Sequence, residues 1–240
     1  MASPLAGQRA LITGASKGFG RALAERLAAS GVNLILTARS ESALDALAEQ
    51  LVSNSDDTIE CSVIAGDIID RAVQQRVIEA STEQNIDLLI NNAGIVDIRP
   101  VVDVPEERID EMIQLNLVAP IKLAHGLLPI FLKRGSGAII NVNSLGGRGP
   151  VPDHAIYCAS KYGMNGFFDT LKLELKGKGV RVLNVCPGKM ATELFAAAGK
   201  DFDTSEFIPP EEVADMTVRL LEMSPVCQPA ELIIDRGRSS

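Results

Sequence analysis

The sequence predicts an α/β protein in which a buried parallel sheet is covered on both faces by helices. Short runs rich in β-branched residues alternate with amphipathic stretches along the chain, which is the pattern of strands joined by helical crossovers. Of the 240 residues, 46% are hydrophobic but only 4% are aromatic, so the core must consist mainly of Ala, Leu, Ile and Val. No internal repeat or low-complexity linker interrupts the pattern, so we expect one domain over residues 1–240.

Strands and helices alternate through the first half of the chain. The predicted strands are ALIT (10–13), VNLILTA (32–38), IECSVIA (59–65) and DLLINNAG (87–94). The predicted helices between them are 19–30, which Gly31 terminates, 41–54 and 70–84. Because a helix separates each strand from the next, neighbouring strands are expected to run parallel.

The second half continues the alternation after a long helical region. That region runs from Pro105, which suits a first helical turn, to about Arg134, and Pro120 predicts a kink within it. The remaining predicted elements are the strand AIINVNS (138–144), a helix containing YCASK, the strand VRVLNVCPG (180–188), a helix near 210–223 and the strand ELIID (231–235).

Charge and cysteine content argue against several classes of function. With 23 basic and 31 acidic residues, the net charge of -8 repels the phosphate backbone of nucleic acids. The four cysteines are scattered without a C-x-x-C pair, and there are only two histidines, so we expect neither a metal site nor a disulfide framework. The N-terminus does not resemble a signal peptide, and no apolar run approaches the roughly 18 to 20 residues of a membrane span. We therefore predict a soluble cytoplasmic protein.

The segment TGASKGFG, residues 13–20, lies between the first strand and the first helix. Gly14 permits a tight turn, Gly18 lets the backbone approach a pyrophosphate, and Gly20 lets the helix pack closely on the strand. The free N–H groups and positive dipole end of the helix would bind the phosphates. The other cofactor-binding residues predicted in this loop are Ser16, Lys17 and Phe19. A structural turn would also explain three glycines, but their place at the first strand-to-helix junction favours a dinucleotide site.

The residues that follow the second strand indicate which dinucleotide is bound. An NAD site usually places a carboxylate near the end of this strand, where it accepts hydrogen bonds from the ribose hydroxyls. This chain has Ala38 and Arg39 there, and Lys17 adds a second cation from the glycine-rich loop. Two cations without a carboxylate suit a 2′-phosphate, so we predict NADP(H). The alternative is that Arg39 is only a solvated residue at the start of the next helix.

Two further strand ends are expected to contact the cofactor. Asp67 and Ile68 follow the third strand, where an adenine ring would lie. Asn92, Ala93 and Gly94 follow the fourth strand, at the rim of the crevice where open α/β sheets bind ligands. A structural turn would also favour Asn and Gly, so this motif alone is only moderately specific.

Tyr157 and Lys161 are four residues apart in a predicted helix, which places both side chains on one face. That spacing arises easily by chance, so the support comes from Ser144, which ends the fifth strand and can approach Tyr157 across the crevice. A tyrosine can exchange a proton with a substrate oxygen, but its unperturbed pKa is about 10. We expect the Lys161 ammonium and a positively charged nicotinamide to lower the pKa of Tyr157 toward neutrality. Ser144 would hydrogen-bond the carbonyl oxygen.

This ordered set of motifs resembles the short-chain dehydrogenase/reductase family over nearly the whole chain. TGxxxGxG is followed by NNAG, then by Ser144, and then by Tyr157 and Lys161. The resemblance implies a Rossmann-type sheet of about seven strands and an NAD(P)-dependent oxidoreductase that acts on alcohols or carbonyls. The chain departs from many members at its end, ELIIDRGRSS, which lacks a glycine-rich segment after the last strand.

The resemblance also assigns residues outside those motifs. It implies a fourth catalytic residue, Asn116 in LNLVAP, whose helix holds a water in a proton relay from the lysine. Helix propensity alone would make Asn116 a polar surface residue. The resemblance further implies that Pro187, Gly188 and Thr192 match the PGxxxT element near the nicotinamide carboxamide. Since members of the family are typically dimers or tetramers, a homodimer or homotetramer is expected.

The predicted function is NADP-dependent reduction of a ketone or aldehyde, with a 3-oxoacyl thioester as one candidate substrate. Segment 190–208 is expected to cover the substrate, and its apolar side chains could either line the pocket or pack within the segment. Those side chains are Met190, Leu194, Phe195, Phe202 and Phe207. The alternative function is a catalytically idle protein that binds NADP(H) and regulates a partner. An intact set of proton-transfer residues argues against that alternative.

Overall fold

A seven-stranded parallel sheet runs through the part of the chain that the structure describes. The computed structural model describes residues 3–55, 58–196, 203–224 and 226–237. Its strands are β1 (Arg9–Thr13), β2 (Asn33–Ala38), β3 (Cys61–Ala65), β4 (Leu88–Asn91), β5 (Gly137–Val142), β6 (Val180–Pro187) and β7 (Glu231–Ile234). Their order is β3-β2-β1-β4-β5-β6-β7, so the winding reverses between β1 and β4. The predicted Rossmann-type, doubly wound fold is confirmed.

Helices cover both faces of the sheet. They are α1 (Gly18–Ala29), α2 (Glu41–Asn54), α3 (Arg71–Glu83), α4 (Glu106–Ile113), α5 (Ala119–Arg134), α6 (Ala155–Glu174), α7 (Glu193–Ala196) and α8 (Pro210–Leu221). Residues of α1, α2 and α8 share one hydrophobic cluster, and residues of α3, α5 and α6 share another. Strand side chains alternate between the two: Ala10 and Ile12 belong to the first cluster and Leu11 to the second. The sheet is therefore buried on both faces, as the low aromatic and high aliphatic content predicts.

Local sequence signals set several helix ends. The Ser40 hydroxyl accepts a hydrogen bond from the Ala43 N–H at 3.4 Å and caps α2. The Asp70 carboxylate accepts one from the Ala72 N–H at 2.8 Å and caps α3. Gly135, with φ of 70°, adopts the left-handed conformation that ends α5. By contrast, α1 begins without any side-chain cap, which leaves the N–H groups of its first turn available for a ligand.

The long helical region changes to π-helical geometry just before Pro120. The π-helical turn covers Gln114–Val118 and separates α4 from α5. The chain stays helical from Ile113 through Ala119, so Pro120, which has no N–H to donate, removes the hydrogen bond that would run back to Asn116. The structure therefore shows this change of geometry in the turn before the kink predicted at Pro120. The π-helical turn contains Asn116, which is fully buried. Such turns recur at functional sites.

The stretch Glu106–Arg134 has the length and composition of a membrane-spanning helix. Its most apolar window has a mean hydropathy of 1.6, with 39% of that window buried in the fold. Lys122 interrupts the stretch, so no continuous apolar run was visible in the sequence. Leu123, Leu127 and Phe131 are buried in the hydrophobic cluster against the sheet. This face of α5 therefore belongs to the protein core.

A row of buried asparagines crosses three adjacent strands at one register. Asn91, Asn141 and Asn184 are direct neighbours across β4, β5 and β6. The Asn91 amide donates to the Asn141 side-chain oxygen at 2.9 Å, and the Asn141 amide donates to that of Asn184 at 3.1 Å. The Asn184 amide in turn donates to the Asp169 carboxylate on α6 at 3.0 Å. The row ties three strands and one helix together beneath the ends of the strands.

Candidate active site

A cleft of about 580 Å³ lies at the carboxyl ends of the strands. It is centred on the point between β1 and β4 where the winding of the sheet reverses, which is the usual ligand crevice of such folds. The structure brings every residue predicted to bind the cofactor into the lining of this cleft. These residues are Gly14, Ser16, Lys17, Gly18, Phe19, Gly20, Arg39, Asp67, Ile68, Asn92, Ala93, Gly94, Tyr157, Lys161, Pro187, Gly188 and Thr192. Ser144 lines it as well, whereas Asn116 does not.

The glycine-rich loop has no room for side chains at two of its three glycines. A Cβ atom on Gly20 would lie 2.4 Å from the Gly14 carbonyl oxygen and 2.4 Å from the Asn92 amide nitrogen. A Cβ atom on Gly14 would lie 2.9 Å from the Ala93 Cα. Gly18 has φ of 52°, a left-handed conformation that favours glycine. The loop and the uncapped start of α1 form a cradle that fits a pyrophosphate.

The NNAG segment braces this loop from the neighbouring strand. The Asn92 side-chain amide donates hydrogen bonds to the carbonyl oxygens of Thr13 and Gly14 at 2.8 and 3.0 Å. The backbone N–H groups of Asn92 and Ala93 each donate to the Thr13 hydroxyl at 3.0 Å. Asn92 therefore holds the loop in position instead of presenting its amide freely to a ligand.

The end of the cleft near β2 and β3 is positively charged. Lys17 and Arg39 line the cleft with exposed side chains, and neither forms an ion pair with any residue that the structure describes. Ala38, at the end of β2, carries no carboxylate. Nearby, the Asp67 carboxylate accepts a hydrogen bond from the Ile69 N–H at 3.0 Å, and Ile68 is buried. Lys17 and Arg39, which have no ion-pair partner among the described residues, lie in the same cleft as the apolar Ile68 side chain. This arrangement fits an adenosine that carries an additional phosphate.

Ser144, Tyr157 and Lys161 meet at the floor of the cleft. The Ser144 hydroxyl hydrogen-bonds the Tyr157 oxygen and accepts a hydrogen bond from the Gly146 N–H at 3.0 Å. The Lys161 ammonium donates to the Val142 carbonyl oxygen at 2.9 Å and lies 5.8 Å from the centroid of the Tyr157 ring. A Cβ atom on Gly146 would lie 3.2 Å from that ring, so the glycine lets the tyrosine approach the loop.

Burial decides the pKa values of this group. It raises the pKa of Tyr157 to about 12, while the hydrogen bond with Ser144 lowers that pKa and the nearby Cys158 and Cys186 thiols raise it further. Burial also lowers the pKa of Lys161 to about 8. In the protein alone, Lys161 does not bring the pKa of Tyr157 toward neutrality. The loss of solvation outweighs the attraction of an ammonium that is hydrogen-bonded to a backbone carbonyl. The joint effect of Lys161 and a positively charged nicotinamide stays a prediction.

Asn116 lies behind the cleft wall, not on the surface as its helix propensity suggests. Its side-chain oxygen accepts a hydrogen bond from the Ile95 N–H at 2.9 Å, and its amide donates to the Ile95 carbonyl at 2.9 Å and to the Ser160 hydroxyl at 3.1 Å. A Cβ atom on Gly94 would lie 3.2 Å from the Asn116 side-chain oxygen and 3.8 Å from the Lys161 nitrogen. Asn116 and Lys161 therefore both lie next to Gly94.

Several residues of the cleft were not predicted from the sequence. Beyond Ser144 and Tyr157, apolar side chains line the end of the cleft where a substrate would enter. The unpredicted ones are Ile95 and Leu115, and Glu111 joins them at the rim. Met190 and Leu194, two of the candidate pocket side chains of segment 190–208, line the cleft as well. Leu115 could have been found because it precedes Asn116 in the same helical turn, whereas nothing in the sequence marks Ile95.

A charged cluster holds the loop that carries Ile95. The Asp97 carboxylate, which is mostly buried, accepts hydrogen bonds from the Arg99 guanidinium, one of them at 2.7 Å, and lies 3.5 Å from Arg108. The hydrogen bond from Arg99 lowers the pKa of Asp97. Arg108 also donates to the Val96 carbonyl at 3.1 Å and pairs with Glu111 at 2.6 Å. The loop is therefore tied to α4 at the rim of the cleft.

Segment 190–208 is described only in part. Met190 bridges Ile208 in a parallel pairing, and Phe207 is buried. A Cβ atom on Gly18 would lie 3.2 Å from Thr192, so this part of the segment reaches the glycine-rich loop. Leu194 packs beside the small cluster that contains Tyr157. Of the predicted pocket residues, Phe195 lies in α7 but its side chain is not described, and Phe202 lies outside the described residues.

Comparison with known proteins decides the family. The model of the short chain dehydrogenase family matches residues 8–202, which is most of the chain. The chain belongs to the short-chain dehydrogenase family. It is therefore an NAD(P)-dependent oxidoreductase, which confirms the resemblance derived from its motifs.

Relatives of this short-chain dehydrogenase act on different carbonyl compounds. It is 35% identical over 230 residues to a 3-oxoacyl-acyl-carrier-protein reductase of Synechocystis sp., covering 92% of this chain and 91% of the relative. It is 38% identical over 187 residues to sulfoacetaldehyde reductase 2 of Chromohalobacter salexigens, covering 76% of this chain and 73% of the relative.

A solved structure also matches this short-chain dehydrogenase closely. The short-chain dehydrogenase of Sphingobium yanoikuyae in complex with NADPH superposes with a TM-score of 0.86 at 32% identity. The match covers 94% of this chain and 87% of that one.

Proposed function

We propose that this short-chain dehydrogenase reduces a ketone or aldehyde to an alcohol with NADPH. The observation that carries the proposal is the contact of Ser144 with Tyr157 above the buried Lys161, in the same cleft as the glycine-rich loop. A protein that only bound the nucleotide would need the loop but not this set of proton-transferring groups. The bound nicotinamide would supply the hydride, and Pro187, Gly188 and Thr192 line the part of the cleft suited to hold it.

Tyr157 is the proton donor in this proposal. With a pKa raised to about 12, its hydroxyl is protonated at neutral pH and therefore in the form that can donate. Because an alkoxide is a stronger base than a phenolate, the transfer becomes favourable as negative charge develops on the substrate oxygen. Ser144 holds that oxygen within reach of the tyrosine. This assignment favours the direction of carbonyl reduction.

Lys161 and Asn116 support the tyrosine. A lysine whose pKa is lowered to about 8 stays mostly positive at neutral pH, and its charge stabilises the phenolate as it forms. Asn116 holds the turn beside Lys161 through its hydrogen bonds to Ile95 and Ser160. We assign to that turn the water of the family's proton relay.

The preference for NADP(H) over NAD(H) rests on the charges around the ribose. Lys17 and Arg39 both face the cleft, and the residue at the end of β2 is alanine. A 2′-phosphate would gain two charge-assisted hydrogen bonds there, whereas the ribose of NAD(H) would lack the carboxylate that usually binds it. The Sphingobium yanoikuyae relative was solved with NADPH.

The proposed substrate is a ketone or aldehyde with an apolar group beside its carbonyl, and a 3-oxoacyl thioester is retained as a candidate. Apolar contacts from Ile95, Leu115 and Leu194 favour an aliphatic or aromatic group beside the carbonyl. The relative from Synechocystis sp. is named as a 3-oxoacyl-acyl-carrier-protein reductase, which supports testing a 3-oxoacyl thioester among the candidate substrates.

The test is NADPH oxidation, followed by absorbance at 340 nm, across ketones, aldehydes, quinones and acyl thioesters. The expected result is turnover with at least one ketone or aldehyde. Tyr157→Phe should abolish that turnover but leave NADPH binding, measured by fluorescence, unchanged. NADPH binding without turnover of any compound in the panel would instead support a cofactor-sensing protein.

We also propose that the protein is a cytoplasmic homodimer or homotetramer that folds as one domain, with segment 190–208 covering the substrate. The family resemblance supports the oligomer, and the single sheet across the described residues supports the one domain. Light scattering coupled to size-exclusion chromatography measures the mass directly. A mass of 25.5 kDa, that of one chain, would contradict the oligomer.

A further inference from the structure

Two buried asparagines, Asn143 and Asn165, join the loop of Ser144 to the helix of Tyr157. Asn143 directly precedes Ser144, and Asn165 lies one turn after Lys161 in α6. Their exposed fractions are 3% and 4%. Neither belongs to the motifs that identified the site, and amides so deeply buried are retained only where hydrogen bonds satisfy them.

Asn143 makes hydrogen bonds in both directions. Its side-chain oxygen accepts from the Ser144 N–H at 2.9 Å. Its amide donates to the Asn165 side-chain oxygen at 2.6 Å and to the Lys161 carbonyl at 3.2 Å. One side chain therefore connects the backbone of the residue that contacts Tyr157 with the backbone of the lysine beneath it.

Asn165 completes the connection from the helix side. Its amide donates to the Gly147 carbonyl at 2.7 Å, so it holds the far end of the Ser144 loop. A Cβ atom on Gly147 would lie 2.7 Å from the Asn143 oxygen and 2.8 Å from the Asn165 nitrogen, so the glycine makes room for the pair. Each side-chain oxygen and nitrogen of the pair makes at least one hydrogen bond, so the two amides form a connected buried network.

We propose that Asn143 and Asn165 are positioning residues that hold the Ser144 hydroxyl in register with Tyr157; this inference rests on the proposed carbonyl reduction. Ser144 lies on a loop, whereas Tyr157 and Lys161 lie on a helix. A loop and a helix move independently unless hydrogen bonds join them. A misplacement of about 1 Å at a reacting group can cost roughly 100-fold in rate.

The first measurement compares Asn165→Ala with the wild-type protein, using the best substrate from the carbonyl panel. We expect kcat to fall about 10- to 100-fold, with the dissociation constant of NADPH changed less than about twofold, because Asn165 does not line the cleft. The kinetic isotope effect with 4-deuterated NADPH should increase as the chemical step becomes slower. A variant that was merely less stable would change neither the isotope effect nor kcat per folded molecule.

Thr217→Ala is the control for a buried polar group outside the site. Thr217 is fully buried, and its hydroxyl donates to the Val213 carbonyl at 2.8 Å within α8, which packs on the opposite face of the sheet from α6. We expect a loss of thermal stability with kcat unchanged. If Asn165→Ala and Thr217→Ala have the same kcat per folded protein, the positioning role is wrong.

A double-mutant cycle tests whether the pair acts as one unit. If it does, Asn143→Ala combined with Asn165→Ala should lower kcat no more than about threefold beyond either single change. Fully additive losses would contradict a shared role.

Hydrogen exchange separates this inference from the proposed function. In Asn165→Ala the amides of residues 144–149 should exchange faster than in wild type, whether or not a substrate is known. Unchanged exchange there would overturn the positioning role of Asn143 and Asn165, whereas a wild-type protein that reduces no carbonyl would overturn the proposed function alone.

Discussion

Single residues in the cleft show how burial and hydrogen bonding compete. Tyr157 and Lys161 lie one helical turn apart, yet burial favours the neutral form of each. It raises the pKa of Tyr157 and lowers the pKa of Lys161. Their spacing in the sequence shows that they can meet, but the direction of each pKa depends on the solvent that the surrounding fold removes.

The rate of carbonyl reduction is expected to fall as the pH rises through about 8. Above that pH the Lys161 ammonium loses its proton, and the charge that stabilises the developing phenolate is lost. The measurement is kcat against pH at saturating NADPH. Lys161→Arg keeps the charge at all these pH values, so any activity it retains should lack the decline. A wild-type rate that stays constant to pH 10 would contradict the assignment.

The stability of the protein should also respond to Lys161. The folded pKa of about 8 lies below the unfolded value of 10.5, so between these values the unfolded chain binds more protons than the folded one. The free energy of unfolding therefore rises with pH across this window, and the cost of the buried charge is fully present below it. Urea unfolding of wild type and Lys161→Met at pH 7 and pH 9.5 should show wild type gaining stability relative to the variant. If the difference in unfolding free energy between wild type and Lys161→Met is the same at both pH values, the lowered pKa of Lys161 is wrong.

At the scale of elements, close approach of strand, loop and helix shapes the site. The first strand and first helix are joined by a loop whose glycines touch the NNAG segment. The π-helical turn between α4 and α5 buries Asn116 beneath the loop of Ile95. Both features depend on distances between elements that no local pattern encodes.

Gly20→Ala is expected to disrupt the cradle. The added Cβ atom would lie 2.4 Å from the Gly14 carbonyl oxygen, which is backbone and must shift. We expect NADPH to bind at least about tenfold more weakly, and the measurement is its dissociation constant from fluorescence titration.

Gly166→Ala is the control for that change. Gly166 lies within α6, and no atom is within 4 Å of an added Cβ. Alanine should stabilise the helix by about 0.5–1 kcal/mol and leave NADPH binding unchanged. Equal NADPH affinity in the two variants would contradict the tight fit of the cradle.

At the scale of the whole molecule, the parallel sheet collects distant segments at one edge. Residues from the glycine-rich loop to Thr192 line one cleft because the carboxyl ends of parallel strands lie side by side. The molecule carries a net charge of -8, yet Lys17 and Arg39 make the nucleotide end of the cleft locally positive. Under the proposed preference for NADP(H), these two cations would offset the repulsion between the net negative charge of the molecule and the phosphates of the cofactor.

Replacing Ala38 with Asp and Arg39 with Gln together should move the cofactor preference toward NADH. The carboxylate would accept hydrogen bonds from a free ribose and repel a 2′-phosphate. We expect the ratio of kcat/KM for NADPH to that for NADH to fall at least about tenfold. Lys17→Gln should lower the same ratio without adding a carboxylate. A ratio that stays constant in both variants would show that the 2′-phosphate binds elsewhere.

Much of the site follows directly from local chemistry in the chain. The alternation of strand and helix, the glycines of TGASKGFG, and the order of Ser144, Tyr157 and Lys161 are properties of sequence neighbours. Parallel strands place the ends of such segments at one edge whatever the detailed packing, so the residues that line the cleft could be predicted before any coordinates.

Tertiary structure alone decided the features that depend on distance and solvent. Asn143 and Asn165 are 22 positions apart, and only the packing of α6 on the end of β5 brings their amides into contact. The same packing buries Tyr157 and Lys161 and raises the pKa of the tyrosine in the protein alone. Sequence records which groups are present, but burial and hydrogen-bond geometry arise only when separate segments exclude water from one another.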